Sequence, residues 1–271
     1  MACQICCRCS CFRLLFLAWT RHTAKQMLST LAKGISFGLG AAGGLGLAAG
    51  GCAYAAYWPA SQLFGSTLVA PARPGELALT FDDGPNPAWT PRLLDILASH
   101  DVRATFFLVG SYGQDQPELV KQIATAGHLI GNHSWSHLNL AFAPASRIAE
   151  ELTRTSQTLE QIAGVPVRHF RPPFGARRPE TLRVARNLGL VPVLWNAMTS
   201  DWKNPSADSI AERLVRKIDA LTRHGRAANI VLHDGSHLDP VANRAPSVAA
   251  AAQLIERYKA THRFVPLNTW S

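Results

Sequence analysis

Beyond position 52 this chain of 271 residues has no cysteine. That absence excludes a disulfide framework and a thiolate metal site from most of the chain, which must draw its stability from an ordinary apolar core. Acidic side chains are missing before Glu76, so Arg8, Arg13, Arg21, Lys25 and Lys33 stand uncompensated at the N-terminus. The net charge of +9 is therefore partly a local feature: beyond residue 72 there are 22 basic and 18 acidic side chains. No run of Lys and Arg is interleaved with aromatics, which argues against nucleic-acid binding. No internal repeat or low-complexity segment interrupts the region beyond residue 75, and 47% apolar content is ample for a large core.

Five of the six cysteines crowd into Cys3, Cys6, Cys7, Cys9 and Cys11. Such a tract can bind metal or carry acyl chains, but its ordinary reading is a poorly structured extension over residues 1–33, with Met27 as an alternative start. Residues 34–58 contain no charged side chain and are long enough to cross a bilayer as a helix. Lys25 and Lys33 precede the stretch, and Tyr54, Tyr57 and Trp58 close it as an interfacial belt. The expectation is a transmembrane anchor with the following domain extracytoplasmic. A signal segment cut between residues 53 and 60, giving a secreted protein, is the alternative. A lipid-modified Cys52 fits less well, because Ala49-Gly50-Gly51 lacks the usual bulky apolar residue. Pro59, Gly65, Pro71, Pro74 and Gly75 mark residues 59–75 as a linker. The catalytic domain is expected over residues 76–271.

From residue 76 the pattern alternates. Strands are expected over 76–81, 104–109, 128–131, 169–170, 191–195, 229–232 and 264–265. Helices are expected over 90–99, 117–126, 144–163, 178–188, 206–221 and 247–259. Such regularity argues for parallel strands with crossover helices, and about seven units fit an α/β fold of distorted (β/α)7-barrel type.

The chemistry sits at the strand ends. Leu79-Thr80-Phe81 runs into Asp82-Asp83-Gly84-Pro85, and His133-Ser134-Trp135-Ser136-His137 carries two histidines at i and i+4. One carboxylate and two imidazoles make a facial metal triad with open positions, and the second carboxylate is left over to act as a base. The combination points to metal-assisted hydrolysis. Taken singly, each motif has an ordinary explanation: an Asp-Gly-Pro turn cap, a surface helical face, a stiffened loop. Five polar clusters at five strand ends are harder to explain that way, because the active sites of such barrels assemble from the loops at the C-terminal ends of the strands.

Read together, these clusters resemble the polysaccharide deacetylase family, carbohydrate esterase family 4 or NodB-homology domain. The resemblance rests on TFDDGP, HSWSH, RPPFG, SDW and VLHDG, in that order, over about residues 76–265. It implies hydrolysis of N-acetyl groups on N-acetylglucosamine-type glycans such as peptidoglycan or chitin oligomers. It also implies a divalent ion, zinc in most members, with Co2+, Mn2+, Ni2+ or Fe2+ as substitutes. An O-acetylxylan esterase on the same site is an alternative, and a non-catalytic sugar-binding domain is a further one that the full set of motif residues disfavours. Oligomeric state is left open.

By this resemblance Asp83, His133 and His137 hold the metal, and activity falls below about pH 6 as the imidazoles protonate. Asp82 resembles the base that takes a proton from the attacking water, and Arg171 the residue that pairs with it. The backbone N–H of Phe174 resembles an oxyanion donor, aimed by Pro172 and Pro173. His233 resembles the acid that protonates the leaving amine, held charged by Asp201, while Trp202 walls the site. Val231 stands where the family usually has the leucine of the acetyl-methyl pocket, which implies a slightly roomier pocket. The remaining histidines, His22, His100, His128, His169, His224, His237 and His262, are read as surface or satisfied polar residues.

Overall fold

The central strand β1 (Glu76–Gly84) is buried along almost its whole length. Its side chains alternate as a pleated strand requires. Leu77, Leu79 and Phe81 join the large core beneath the helices, whereas Ala78 joins a separate interior cluster with Phe107, Val193 and Leu267. In this computed structural model residues 50–271 are described, and Tyr54–Ser271 form one compact unit. The sequence expectations for residues 1–49, including the cysteine tract and most of the apolar stretch, lie outside the described residues. Residues 50–57 are helical, and no helix among the described residues is long and apolar enough to cross a membrane.

Among the described residues seven further strands surround β1. They are β2 (Thr105–Leu108), β3 (Leu129–Asn132), β4 (His169–Phe170), β5 (Val191–Pro192), β6 (Ala197–Met198), β7 (Ala228–His233) and β8 (Arg263–Phe264). Their order is β5-β4-β3-β2-β1-β7-β6, every pairing is parallel, and β8 joins the start of β1. The sheet curls into a half-barrel. Arg171, just after β4, reaches Asn229 on β7 at 3.3 Å. These strands are four steps apart in the sheet, roughly 19 Å if it were flat, so they meet only across a curved interior.

The helices cover the outer face. They are α1 (Thr90–Ser99), α2 (Gly110–Asp115), α3 (Pro117–Thr125), α4 (Ala145–Ala163), α5 (Pro179–Asn187), α6 (Ala207–Arg223) and α7 (Ala245–Tyr258). In α4, Ile148, Leu152, Thr155 and Leu159 form the buried stripe of an amphipathic helix, which ends at Gly164 with φ +70°. α2 and β6 have no counterpart in the sequence expectations. Thr90 is the first residue of α1; its hydroxyl accepts from Asn86 N at 2.8 Å and donates to Asp234.

Two local differences share one cause. β5 stops at Pro192 rather than continuing to 195, and residues 59–75 do not hang free as a linker. Leu68 N donates to Pro192 O at 2.9 Å, and Leu194 N donates to Leu68 O at 2.8 Å. Asn229 Nδ2 donates to Val69 O at 3.0 Å, and Ala227 N to Pro71 O at 3.0 Å. Residues 68–71 thus fill the gap between β5 and β7 and satisfy backbone groups that an open edge would expose.

Candidate metal centre and active site

Strict alternation would send the adjacent carboxylates Asp82 and Asp83 to opposite faces of β1. The register between β1 and β2 shifts between Asp82 and Gly84, and Asp83 has φ +68°. This bulge re-aims Asp83 so that both acids serve the same mouth. The turn after β7 comes close at this point: a Cβ on Gly235 would lie 1.9 Å from the carbonyl oxygen of Asp83. Only glycine fits there.

Asp82 continues the inward row of β1. Arg171, fully buried, donates from Nη1 to Asp82 Oδ1 and to Thr80 Oγ1, both at 2.7 Å. Its guanidinium lies 4.1 Å from the centre of the Phe107 ring. Burial lowers the Arg171 pKa, while the Asp82 carboxylate works in the opposite direction.

Asp83, His133 and His137 are buried and form a donor cluster whose atoms lie within 4.8 Å of one another. Asp83 Oδ1 sits 3.3 Å from His133 Nε2 and 3.0 Å from His137 Nε2, with no hydrogen bond to satisfy it. His133 Nδ1 is 2.8 Å from the carbonyl oxygen of Arg171, so its proton is committed there and Nε2 presents a lone pair. Three possible ligand atoms therefore converge on a buried point, an arrangement that a cation satisfies by taking a lone pair from each. Burial pushes the Asp83 carboxyl up, but the His137 and His133 rings outweigh it and hold the group well below its ordinary value. Burial lowers the His137 pKa against the pull of Asp83, which favours the neutral, ligating ring. The donor set of two imidazoles and one carboxylate fits a divalent transition metal.

On the other side of the mouth, His233 ends β7 directly beside Asp82 in the β1–β7 register. Its Nδ1 is 2.9 Å from Asp201 Oδ1, and its backbone N–H donates to Asp201 Oδ2 at 2.8 Å. Ser247 Oγ also donates to that oxygen at 2.8 Å. Burial pulls the His233 pKa down, yet Asp201, helped by Asp83 and Asp82, outweighs it and raises the ring to about 9. His233 is therefore a charged donor at neutral pH. Trp202 stands edge-on to it at 5.4 Å and is partly exposed. Phe174, with φ +61°, lies edge-on to His137 at 4.6 Å, bringing the RPPFG loop to the metal side. Val231 is buried against Leu194 and Trp195, below the mouth.

All ten sequence-selected positions thus gather at or beneath one end of the half-barrel. His237, read above as a surface or satisfied polar residue, is also there. Its ring stacks on His137 at 4.2 Å and 15°, and its Nδ1 is 3.6 Å from Asp83 Oδ2. The signal was present, since His237 follows His233 by four residues as His137 follows His133. Asn229 was missed as well: it receives Arg171 and donates to Leu194 O at 2.6 Å. Asp234, next to His233, is buried and pushed up to about 7 by that burial, with the Thr90 hydroxyl opposing the rise.

Residues 70–193 match the family model described as Polysaccharide deacetylase. A chitooligosaccharide deacetylase of Sinorhizobium fredii is 36% identical over 184 residues, covering 65% of this chain and 82% of the relative. The chain belongs to the polysaccharide deacetylase family. A peptidoglycan-N-acetylglucosamine deacetylase of Bacillus cereus is 41% identical over 154 residues, 57% of this chain and 56% of that protein. Among solved structures, a peptidoglycan N-acetylglucosamine deacetylase bound to a hydroxamate, 4-naphthalen-1-yl-N-oxidanyl-benzamide, superposes with a TM-score of 0.67 at 35% identity, covering 75% of this chain and 91% of that one. A family pseudoenzyme from Bacillus anthracis superposes equally well, with a TM-score of 0.67 at 26% identity over 75% of this chain and 68% of that one. The fold is therefore shared by active and inactive polysaccharide deacetylases, and activity has to be argued from the site.

Proposed function

We propose that this polysaccharide deacetylase removes N-acetyl groups from an N-acetylglucosamine-type glycan, releasing acetate, with a divalent ion held by Asp83, His133 and His137. The observation that carries the reading is the convergence of both Nε2 atoms on one unsatisfied buried carboxylate oxygen. When bound there, a divalent ion acidifies water and polarises a carbonyl as a Lewis acid. The chain's own groups supply the rest. Asp82, fixed by Arg171, accepts the proton of the attacking water. The Phe174 amide donates to the oxygen on which charge develops; removing one such donor typically costs about 10²–10³ in rate. His233, charged through Asp201, delivers a proton to the leaving nitrogen, which would otherwise depart as an amide anion. Trp202 and Val231 shape the space for the sugar and the acetyl methyl.

The uncharged stretch of residues 34–58 and the preceding Lys25 and Lys33 support an extracytoplasmic catalytic domain held at the membrane. Zinc is the ion we favour, because a site of two imidazoles and one carboxylate suits it.

The test is acetate release by the full chain, stripped with chelator and reloaded with Zn2+, from chitin oligomers, peptidoglycan and acetylxylan. Acetate from an N-acetylated glycan, lost with the ion and regained with it, is the expected result. Release from acetylxylan alone would move the reading to an esterase. No release by a chain that holds stoichiometric ion would leave a sugar-binding domain.

A further inference from the structure

The two histidine ligands do not lie on a helix, although their spacing would suit one. They sit in an irregular segment between β3 and α4, with φ +63° at Ser134 and +54° at His137. Left-handed conformations at non-glycine residues cost energy and persist only where the surroundings enforce them. Backbone bonds from Gly110 N to Ser134 O at 2.9 Å and from Ser111 N to Trp135 O at 3.1 Å hold one side of the loop, and a single carboxylate holds the other. By helical spacing Glu151 falls on the buried stripe of α4, and only 1% of its surface is exposed. Its Oε2 accepts from the backbone N–H groups of both Trp135 and Ser136 at 2.8 Å. Its Oε1 accepts from Ser136 Oγ at 2.8 Å and from Arg147 Nη2 at 2.6 Å. Three of these four donors belong to the residues that separate His133 from His137.

The same helix grips the loop at two more places. Asn132 donates to Leu152 O at 2.8 Å and accepts from Ser134 N at 2.8 Å, and the Arg154 guanidinium covers the Trp135 ring at 3.6 Å. Burying a carboxylate is expensive unless charge-assisted bonds saturate it, and a neutral apolar residue would fill that stripe at lower cost. Glu151 touches neither the donor cluster nor the acids at the mouth. Its bonds act on the curvature of the ligand loop.

We infer that Glu151 is a positioning residue for the metal centre: its charge folds the His133–His137 loop so that both Nε2 atoms meet Asp83 Oδ1. The inference rests on the metal-site reading above. Its test is the affinity of the full chain for Co2+, measured by chelator competition, together with the visible absorption spectrum of the Co2+ form. Glu151→Gln and Glu151→Ala should each weaken binding by about 10–100-fold, the range found when an outer-shell partner of a ligand is removed, and should alter the spectrum. Glu151→Gln nearly preserves volume and keeps the measurement available if Glu151→Ala fails to fold. Leu159→Ala, in the same buried stripe two turns on, is the control for general loosening of the helix. It should lower the melting temperature while keeping wild-type Co2+ affinity and spectrum. Unchanged affinity and spectrum in the Glu151 variants would overturn the inference, as would an equal loss in Leu159→Ala. A wild-type chain that binds no ion would instead remove the metal-site reading itself.

Discussion

Replacing Asp201 by Asn isolates the proton donor from the rest of the site. Burial lowers His233, but the Asp201 charge and hydrogen bond, with Asp83 and Asp82, together outweigh it and raise the ring from 6.5 to about 9. Without that charge, burial acts against Asp82 and Asp83 alone, and the ring falls back toward its ordinary value of 6.5. At about pH 8 the wild-type ring is then roughly nine-tenths protonated and the Asn variant's only about 3%, a ~30-fold difference; at about pH 6 the two differ by less than twofold. Lost orientation lowers activity equally at every pH, and titrations common to both proteins cancel in their ratio. The assay is kcat/KM for acetate release between about pH 6 and 9, taken as wild type over variant. The ratio should grow ~20-fold between about pH 6 and 8 and ~100-fold by about pH 9. A ratio that stays flat would refute the assignment of His233 as a donor charged through Asp201. Stability gives an independent reading. A folded pKa above the unfolded one stabilises fully below about 6.5, and the contribution, ~3 kcal/mol, is lost as pH rises through about 9. Urea unfolding of the wild type should therefore weaken at alkaline pH more than that of the variant. The variant's amide oxygen can still accept from both His233 N and Ser247 Oγ, which share Asp201 Oδ2, but its Nδ2 donates where Oδ1 accepted from His233 Nδ1, a further loss of about 1–3 kcal/mol.

Asp82→Asn should abolish turnover and leave the ion bound, since Asp82 faces Arg171 and lies outside the donor cluster; loss of the ion would make it a ligand. His133→Ala should lose both ion and activity, and a variant holding stoichiometric zinc would overturn the ligand set. Arg177 is fully buried and donates to the carbonyl oxygens of Ala56, Trp58, Ser61 and Gly175 at 2.8–3.3 Å. A chain beginning at residue 62 strips three of those partners from a buried cation and keeps residues 68–71. It should melt ~6–12 °C below one beginning at residue 50, from about 3 kcal/mol for a broken buried charge network. Equal melting temperatures would show that residues 54–61 do not support the domain.

The alternation of strands and helices, and the position of each polar cluster after a strand, were legible because periodicity and turn residues are local properties. Other features were not. Periodicity places Asp82 and Asp83 on opposite faces, and only the bulge against β2, with φ +68°, brings them together. A spacing of four fits a surface helical face as well as a ligand pair, whereas His133 and His137 lie on a loop bonded to the carboxylate of Glu151. Proline and glycine marked residues 59–75 as a linker, yet the curled sheet leaves a gap that residues 68–71 fill. Composition and order by themselves determined the chemistry that the chain can carry: one acid and two imidazoles for an ion, a second acid, an arginine and a distant histidine. Tertiary structure alone decided which possible ligand atoms converge, that Arg171 reaches Asn229 across the interior, and that His237 stacks on His137. The physical reason is closure. Side-chain alternation along one strand says nothing about which strands meet when a sheet curls, and only that meeting desolvates these groups and sets their charges.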